Sequence, residues 1–196
     1  MTGDDLKGHR WAGAFSTVAW AGAVLLGLVG LLRYGSTAGA DARAPAIWPA
    51  DSRIPRRAHP TALLFVHPNC PCSRATLAEL ARLLAVVGDR VDVHVVLSAP
   101  GDALRAAAAA IAGVALFDDP EGVEARRFGA TTSGDLLLYT SGGRLAFQGG
   151  ITRARGHEGD SSGAAAVIGH LRGRPAPSRA PVYGCPLFAG TGGADA

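Results

Sequence analysis

The sequence predicts an α/β domain built on a central sheet, preceded by one apolar helix long enough to cross a membrane. Two observations predict the domain. From residue 59 onward, short apolar runs of strand length alternate with helix-like stretches, and the series ends in a hairpin followed by a helix. Strands that alternate with helices form a sheet covered by helices on both faces. A third observation, an uncharged run near the N-terminus, predicts the membrane helix.

Composition excludes several classes of protein. Of the 196 residues, 48% are hydrophobic and 18% are charged, which suits one packed core and excludes a disordered chain. The net charge of +3, without a basic cluster, is too small to indicate a nucleic-acid partner. Three cysteines exclude a disulfide-dense scaffold but allow one disulfide and one further thiol.

The first element is the uncharged apolar run of residues 11–32. As a helix it spans roughly 33 Å, enough for a bilayer core. We predict an uncleaved anchor with residues 1–10 in the cytoplasm, because Lys7 and Arg10 precede the run. The predicted location is therefore the inner (cytoplasmic) membrane, crossed once, with the domain on the extracytoplasmic, periplasmic side.

Two alternatives to the anchor remain open. The run could belong to a signal peptide cleaved after Ala40, where small residues match a cleavage site, although its length exceeds the usual apolar core of about 7–15 residues. It could also be the buried helix of a soluble protein, but such helices usually show an apolar stripe and this run is apolar on every face. Either membrane interpretation exports the rest of the chain.

Residues 33–58 are predicted as a linker, because Gly, Ala, Pro and Arg follow one another there without a sustained period. The domain is predicted over residues 59–173. Its first strand is the apolar run 61–67, and the β-branched run 91–97 is the second. Residues 73–88 between them form a helix, with Leu77, Leu80 and Leu84 at helical spacing.

The second half of the domain follows from turn and strand signals. Asp102 suits the N-cap of an Ala-rich helix over residues 103–112. Apolar runs on either side of a Gly-Gly turn predict the closing hairpin. The remaining elements are a strand at 114–117, a short helix from Pro120 to about 128–129, hairpin strands at 135–139 and 144–148, and a last helix at 164–171.

The candidate active site is the segment FVHPNCPCS (65–73), where a strand ends and a helix begins. Open α/β sheets place their sites at the carboxyl ends of their strands. The unpaired N–H groups and the positive dipole end of a helix N-terminus stabilise a thiolate, so Cys70 is the predicted nucleophile. The alternative is that Cys70 and Cys72 are a buried structural pair.

This segment resembles the active site of the thioredoxin-like superfamily, and the resemblance covers about residues 59–173. It implies a thioredoxin-like fold with Cys70 as the attacking cysteine. The second cysteine of the superfamily's C-x-x-C motif would fall at Ser73, whereas this chain has Cys72 and thus a C-P-C motif. The stretches HPNCPCSRAT, GGITRARGHEGD and VYGCPLF resemble, more narrowly, the small bacterial thioredoxin-like proteins called RedB.

A second part of the resemblance is FGATTSGDLLLY (128–139), which corresponds to the superfamily's loop before the hairpin. The resemblance implies that Thr132, Ser133 and Gly134 face the reactive cysteine, in a loop that usually pairs with the substrate backbone. Gly134 stands where the superfamily has a cis-proline. We therefore expect a more mobile loop and weak activity toward general disulfide substrates, which Gly134→Pro should raise.

Two cysteines are candidates to resolve a disulfide on Cys70. Residues i and i+2 of a helix do not face each other, so a bond to Cys72 would be strained and easily reduced. Cys185 lies in a Pro- and Gly-rich tail, residues 174–196, which is long enough to fold over a small domain. We expect the Cys70–Cys72 disulfide as the main oxidised form, because it does not require the tail to dock. Cys185 could instead be the resolving thiol, or a structural thiol that packs the tail.

Polar residues could tune the reactive cysteine. The Gly-rich stretch 149–163 follows the last strand, and the resemblance places it on the active-site side, with Arg153, Arg155 and His157 as candidates. A guanidinium stabilises a thiolate, and an imidazole exchanges protons with a thiol. His67 precedes the reactive cysteine by three residues and is another candidate. The alternatives are a solvated loop and a strand-end histidine without a role.

The leading hypothesis is a membrane-anchored, extracytoplasmic thiol–disulfide oxidoreductase that acts on partner-protein thiols or disulfides, with Cys70 as nucleophile and Cys72 or Cys185 as resolving thiol. The alternative is a copper- or zinc-handling protein, because Cys70, Cys72 and either His157 or Cys185 offer soft ligands. It would resemble Sco-type copper chaperones without their C-x-x-x-C spacing. Peroxide reductases have Thr or Ser where this chain has His67, which counts against that activity. A non-catalytic thioredoxin-like module is the remaining hypothesis.

Overall fold

A computed structural model describes residues 3–40 and 42–188. Parts of three predictions lie outside the described residues: the start of the 1–10 segment, Asp41 after the possible cleavage site, and residues 189–196 of the tail. The described residues form two compact units, one ending at Ser36 and the other beginning at Thr37.

The first unit is a single helix, α1 (Gly3–Ser36). Its stretch Phe15–Ser36 is long and apolar enough to cross a membrane, and none of it is buried. Large apolar side chains such as Trp20 and Leu26 are 68% and 76% exposed there. The expected apolar N-terminal helix is therefore present, by length and composition, in a form that a membrane anchor and a signal sequence share.

The second unit has the predicted order of elements. Gly101, not Asp102, is the N-cap of the Ala-rich helix, so Asp102 acts on the helix dipole from the first turn instead of capping an N–H group. The elements are β1 (Thr61–Val66), α2 (Cys72–Val87), β2 (Asp92–Leu97), α3 (Asp102–Ala109), β3 (Val114–Asp118), α4 (Val123–Arg127), β4 (Asp135–Tyr139), β5 (Leu145–Gly150) and α5 (Ser162–Leu171).

These strands form one five-stranded sheet in the order β3-β2-β1-β4-β5. β1, β2 and β3 are parallel, whereas β4 and β5 form an antiparallel hairpin against β1. β1 is fully buried because both of its faces are covered. Leu64 and Val66 belong to the core cluster that includes α2 and α5 residues, while Leu63 and Phe65 belong to the cluster on the other face. The predicted α/β fold, a thioredoxin-like central sheet with flanking helices, is confirmed.

The segment predicted as a linker packs on the domain over residues 42–58. Trp48 makes edge-on ring contacts with Phe128 and Tyr139, with ring centroids 4.9 and 5.1 Å apart. Ile54 is only 2% exposed, and the Trp48 N–H donates to the Gly143 carbonyl at 2.8 Å. The compact unit thus extends further toward the N-terminus than the apolar periodicity indicated.

The described part of the tail also packs on the domain. Residues 178–181 run along β5, where the Gln148 N–H donates to the Ser178 carbonyl (2.9 Å) and the Ala180 N–H donates to the Gln148 carbonyl (3.1 Å). Gly149 permits this close approach, because a Cβ there would lie 2.4 Å from the Ala180 carbonyl oxygen. The tail therefore runs along the edge of the sheet toward the carboxyl end of β1.

Candidate active site

β1 and α2 position Cys70 in the turn between them. The Cys70 N–H donates to the His67 carbonyl at 3.1 Å, and the Ser73 N–H donates to the Cys70 carbonyl at 3.0 Å. Cys70 is 3% exposed, and Cys72, the first residue of α2, is 8% exposed. Both cysteines thus lie at the N-terminal end of a helix and beside the carboxyl end of the central strand.

Ser73 and His67 are structural parts of this turn. The Ser73 hydroxyl, at the position of the superfamily's second cysteine, donates to the His67 carbonyl at 2.8 Å. The His67 Nδ1 accepts a hydrogen bond from the Asn69 N–H at 3.1 Å. The imidazole therefore holds the turn, and this contact does not support the proposed role of His67 as a proton-exchange partner of Cys70.

The loop of residues 131–134 lies against the turn. Ser133 Oγ accepts from the His67 N–H at 3.0 Å, and it lies 3.1 Å from Ser73 Oγ. The Gly134 N–H donates to the Phe65 carbonyl at 2.7 Å. Gly134 has a φ of +95°, a conformation that side chains resist and that proline, with its φ near −65°, does not adopt. The geometry thus counts against the expectation that Gly134→Pro would improve the loop.

The tail brings Cys185 to the same loop. The Ser133 N–H donates to the Cys185 carbonyl and the Leu187 N–H donates to the Thr131 carbonyl, both at 2.8 Å. Thr132 and Pro186 form an antiparallel bridge between these two bonds. The tail is therefore held as a short extra strand, and Cys70, Cys72 and Cys185 lie together although the last is far away in sequence.

The three thiols differ in acidity. Burial opposes ionisation of Cys70, but hydrogen bonds from the side chain and backbone of Cys185 and from the backbone and side chain of Cys72 hold its pKa below the usual value. Burial and the negative charge of Cys70 raise the pKa of Cys72. Burial, the hydrogen bond to Cys70 and the Cys70 charge raise the pKa of Cys185 to about 11. The cluster therefore favours one thiolate, Cys70, with two protonated thiols beside it.

Of the three candidates in the 149–163 stretch, Arg155 is the one that reaches the cysteines. Its charge lowers the pKa of both Cys72 and Cys185, although burial and Cys70 outweigh it. The next residue, Gly156, provides a backbone hydrogen bond to Cys72. Arg153 and His157 are exposed, and the His157 Nδ1 lies 2.9 Å from the Arg155 carbonyl.

The structure does not support a copper or zinc site that includes His157. Within residues 3–40 and 42–188, no group of three His, Cys, Asp or Glu side chains is arranged to hold a metal ion. His157, one of the proposed ligands, contacts the backbone of its own loop instead.

Asp135 is a buried polar residue that the sequence reasoning missed. It is 2% exposed at the start of β4, and its Oδ2 accepts from Gln148 Nε2 at 3.1 Å. Among the residues that the structure describes, none makes a hydrogen bond with its Oδ1. It lines a cavity of about 250 Å³ together with Arg179. The signal was an acidic residue opening an otherwise apolar strand, DLLLY.

Comparison with known proteins concerns the fold. No protein-family model matches the chain, and no curated protein matches it. A solved structure of a hypothetical protein from Sinorhizobium meliloti is 23% identical with a TM-score of 0.56, covering 79% of this chain and 96% of that chain. An uncharacterized conserved protein from Geobacillus kaustophilus is 17% identical with a TM-score of 0.56, covering 81% and 95%.

A secreted disulfide oxidoreductase from Mycobacterium tuberculosis, described as homologous to E. coli DsbE, is 16% identical with a TM-score of 0.45, covering 60% of this chain and 83% of that chain. The sheet order, the β4–β5 hairpin against β1 and the cysteine-bearing β1–α2 turn are the features of this chain that define its fold. The protein therefore has the thioredoxin-like fold.

Proposed function

We propose that the protein is a thiol–disulfide oxidoreductase, anchored in the membrane by α1 and acting outside the cytoplasm on thiols or disulfides of partner proteins. The observation that carries the proposal is the cluster of three cysteines, in which Cys70 alone has a lowered pKa. The thiolate is the nucleophile of thiol–disulfide exchange. Cys70 is accordingly the proposed nucleophile.

In the proposed reaction, the Cys70 thiolate attacks one sulfur of a partner disulfide. The partner S–S bond breaks, a mixed disulfide with Cys70 forms, and the other partner sulfur leaves as a thiolate that takes a proton from solvent. A second thiolate of this chain then attacks the Cys70 sulfur and releases the partner. The partner gains two electrons, this chain holds an internal disulfide, and a dithiol reductant restores it. The steps are reversible, so the same cysteines oxidise a partner dithiol in the other direction.

We propose Cys185 as the resolving thiol in preference to Cys72, which reverses the expectation from the sequence. The side chains and backbones of Cys185 and Cys72 both reach Cys70, so backbone geometry decides between them. Cys72 begins α2, and Pro71 before it has helical φ and ψ of −58° and −27°, so a Cys70–Cys72 bond requires the helix start to unwind.

The raised pKa of Cys185 does not prevent this step. Burial is its first cause, but the next two are the hydrogen bond to Cys70 and the Cys70 charge. Both disappear once Cys70 is bonded to a partner, and the Arg155 charge favours the Cys185 thiolate when the tail lies at the site. The pKa of Cys185 is thus lower at the step in which Cys185 attacks the mixed disulfide than in the resting protein.

The narrower likeness to RedB-type proteins belongs to the same proposal. Its three stretches are those that surround the reactive sulfur: the first carries Cys70 and Cys72, the second carries Arg155, and the third carries Cys185. Because the three stretches meet at one site, they support the proposal that this protein and RedB-type proteins share the arrangement of that site.

The test is disulfide mapping and a redox titration of the full-length protein in detergent. We expect oxidation to yield mainly a Cys70–Cys185 disulfide, and Cys70→Ser to abolish reduction of a small aromatic disulfide. Cys185→Ser should accumulate mixed disulfides on Cys70, whereas Cys72→Ser should leave turnover largely intact. Reduction that survives Cys70→Ser would overturn the proposal. A mapped Cys70–Cys72 bond would return Cys72 to the resolving role.

A further inference from the structure

The tail binds the 131–133 loop through its backbone. Both hydrogen bonds that flank the Thr132–Pro186 bridge join main-chain groups, namely the Ser133 N–H with the Cys185 carbonyl and the Leu187 N–H with the Thr131 carbonyl. An extended segment that adds to an exposed edge gains affinity from such bonds and specificity from its side chains. The loop edge can therefore accept another extended segment when the tail is absent.

Side chains of the tail fill specific places beside this edge. Leu187 is 6% exposed and belongs to the apolar cluster that contains Phe128 and Ala130. The Phe188 ring lies against the Arg126 guanidinium, 4.9 Å from the ring centroid. A Cβ on Gly184 would lie 1.7 Å from the Ser133 carbonyl oxygen, so only glycine fits before the cysteine.

The tail also places a thiol where a reacting partner must place one. The Cys185 side chain is hydrogen-bonded to Cys70, and under this cover Cys70 is only 3% exposed. A partner segment that brings a sulfur to Cys70 along the 131–133 edge needs the same backbone groups. The tail and a partner segment therefore compete for this edge, and the tail returns to it when Cys185 attacks the mixed disulfide.

The resemblance to the superfamily implies that the 131–133 edge pairs with the substrate backbone. We propose that residues 182–188 occupy this edge (the substrate groove) as an internal substrate mimic, and that the preferred partner is an extended segment of the form Gly-Cys-x-Leu, with a large apolar residue two positions after the cysteine. This proposal rests on the proposed oxidoreductase function and adds its substrate class. Release of the tail opens the groove, and its return expels the product segment.

The experiment uses full-length protein in detergent and a synthetic peptide of residues 181–188 carrying Cys185→Ser, so that binding is non-covalent. Gly184→Ala in the protein should displace the tail, because its Cβ collides with the Ser133 carbonyl. The matched control is Gly142→Ala, at an exposed turn where a Cβ meets only an ordinary contact at 3.7 Å. Binding is followed by fluorescence anisotropy of the labelled peptide, and Cys70 exposure by its alkylation rate at a pH where it is fully ionised.

We expect Gly184→Ala to bind the peptide at least about tenfold more tightly than wild type, since an edge that is open less than a tenth of the time weakens apparent affinity by that factor. Cys70 should also be alkylated faster, and a peptide with Leu187→Asp should not bind. Gly142→Ala should behave as wild type. Leu187→Ser in the protein is a second way to release the tail if Gly184→Ala does not fold.

If a folded tail-release variant showed unchanged peptide affinity and an unchanged rate of Cys70 alkylation, the proposal that the tail occupies a substrate groove would be overturned. Reduction of a small aromatic disulfide is measured on the same samples to separate the two proposals. If wild type reduces it and the release variants show no groove, only the substrate inference fails. If no sample reduces it, the oxidoreductase function itself fails.

Discussion

Cys70 owes its lowered pKa to donors supplied by two other cysteines, against the effect of burial. In the wild type we expect iodoacetamide at mildly acidic pH to label Cys70 before Cys72 and Cys185. Cys185→Ala removes a side-chain donor and should move the midpoint of Cys70 labelling to higher pH. Cys185→Ser keeps a donor and is the matched control. Equal labelling of all three thiols, with midpoints near the free-thiol value of about 8.5, would contradict the assignment.

In the proposed reaction, Arg155 favours ionisation of the thiols that act after Cys70 has reacted. Its charge lowers the pKa of Cys185, and its guanidinium donates to the Gly184 carbonyl at 2.5 Å. Arg155→Gln should therefore slow the release of partner from a mixed disulfide, by about three- to fourfold for each unit by which the pKa of the resolving thiol rises, because the thiolate fraction falls tenfold while the thiolate becomes more nucleophilic. Stopped-flow reduction of a preformed mixed disulfide measures this step. Arg153→Gln, on an exposed neighbour in the same loop, is the control and should release partner at the wild-type rate.

Sequence reasoning located the cysteine-bearing turn between β1 and α2 but not the hydrogen-bond partners of its residues. Cys70 could be placed because strand, turn and helix signals meet at residues 65–73. The hydrogen bond from Asn69 to His67 and the positive φ of Gly134 depend on the folded backbone, and no residue pattern encodes them. The expectation of a mobile loop at Gly134 overlooked its N–H bond to the Phe65 carbonyl.

At the scale of elements, the strands were easier to predict from the sequence than the segments that pair with the edge of the sheet. β4 (Asp135–Tyr139) has the predicted bounds and β1 (Thr61–Val66) ends one residue earlier than predicted, because apolar runs of strand length are bounded by turn residues. Residues 178–181 pair with β5 through backbone groups, which have no side-chain period to detect. The same holds for the segment around Trp48, which has no apolar period although the Trp48 ring contacts Phe128.

Asp135, the first residue of β4, makes the free energy of unfolding depend on pH. Burial raises the pKa of Asp135 to about 6, against about 3.9 for an unfolded aspartate. The folded state therefore holds the proton more tightly, and the stability that Asp135 contributes is complete below about pH 4 and is lost as the pH rises through about 6. The loss amounts to about 3 kcal/mol.

We expect the free energy of unfolding in urea to fall between about pH 4 and pH 6 because of this residue. Asp135→Asn should flatten that fall and stabilise the protein at neutral pH. Asp89→Asn, at an exposed position, is the control and should leave the pH dependence unchanged. A slope that persists in Asp135→Asn would assign the effect to other groups.

At the scale of the whole molecule, the candidate site forms where distant parts of the chain come together. The β1–α2 turn, the 149–163 stretch and the tail come from three distant parts of the sequence, and they meet because the tail follows the sheet edge past Gly149 and Gly150. A pattern can identify each segment separately. Their meeting depends on the close backbone approach that glycines allow, which explains why Cys72 was preferred to Cys185 from sequence alone.

The segment that follows α1 contacts the tail, which bears on whether α1 is retained as a membrane anchor. The Gly39 N–H donates to the Val182 carbonyl at 2.8 Å, and Ala38 and Gly39 line the cavity beside Asp135. Cleavage after Ala40 would remove residues that hold the tail near the site. We therefore expect the mature protein to retain α1, with residues 1–10 in the cytoplasm and the domain outside.

Full-length protein expressed in a bacterial host should stay in the membrane fraction after alkaline carbonate washing, and its intact mass should include the N-terminal segment. Leu26→Arg places a charge within Phe15–Ser36, costing about 3 kcal/mol near a helix centre, and should release part of the protein. Leu6→Arg, before the apolar stretch, is the control and should not release it. A soluble product beginning at Asp41 would show instead that α1 is a cleaved signal, and the contact between Gly39 and Val182 would then be absent from the mature protein.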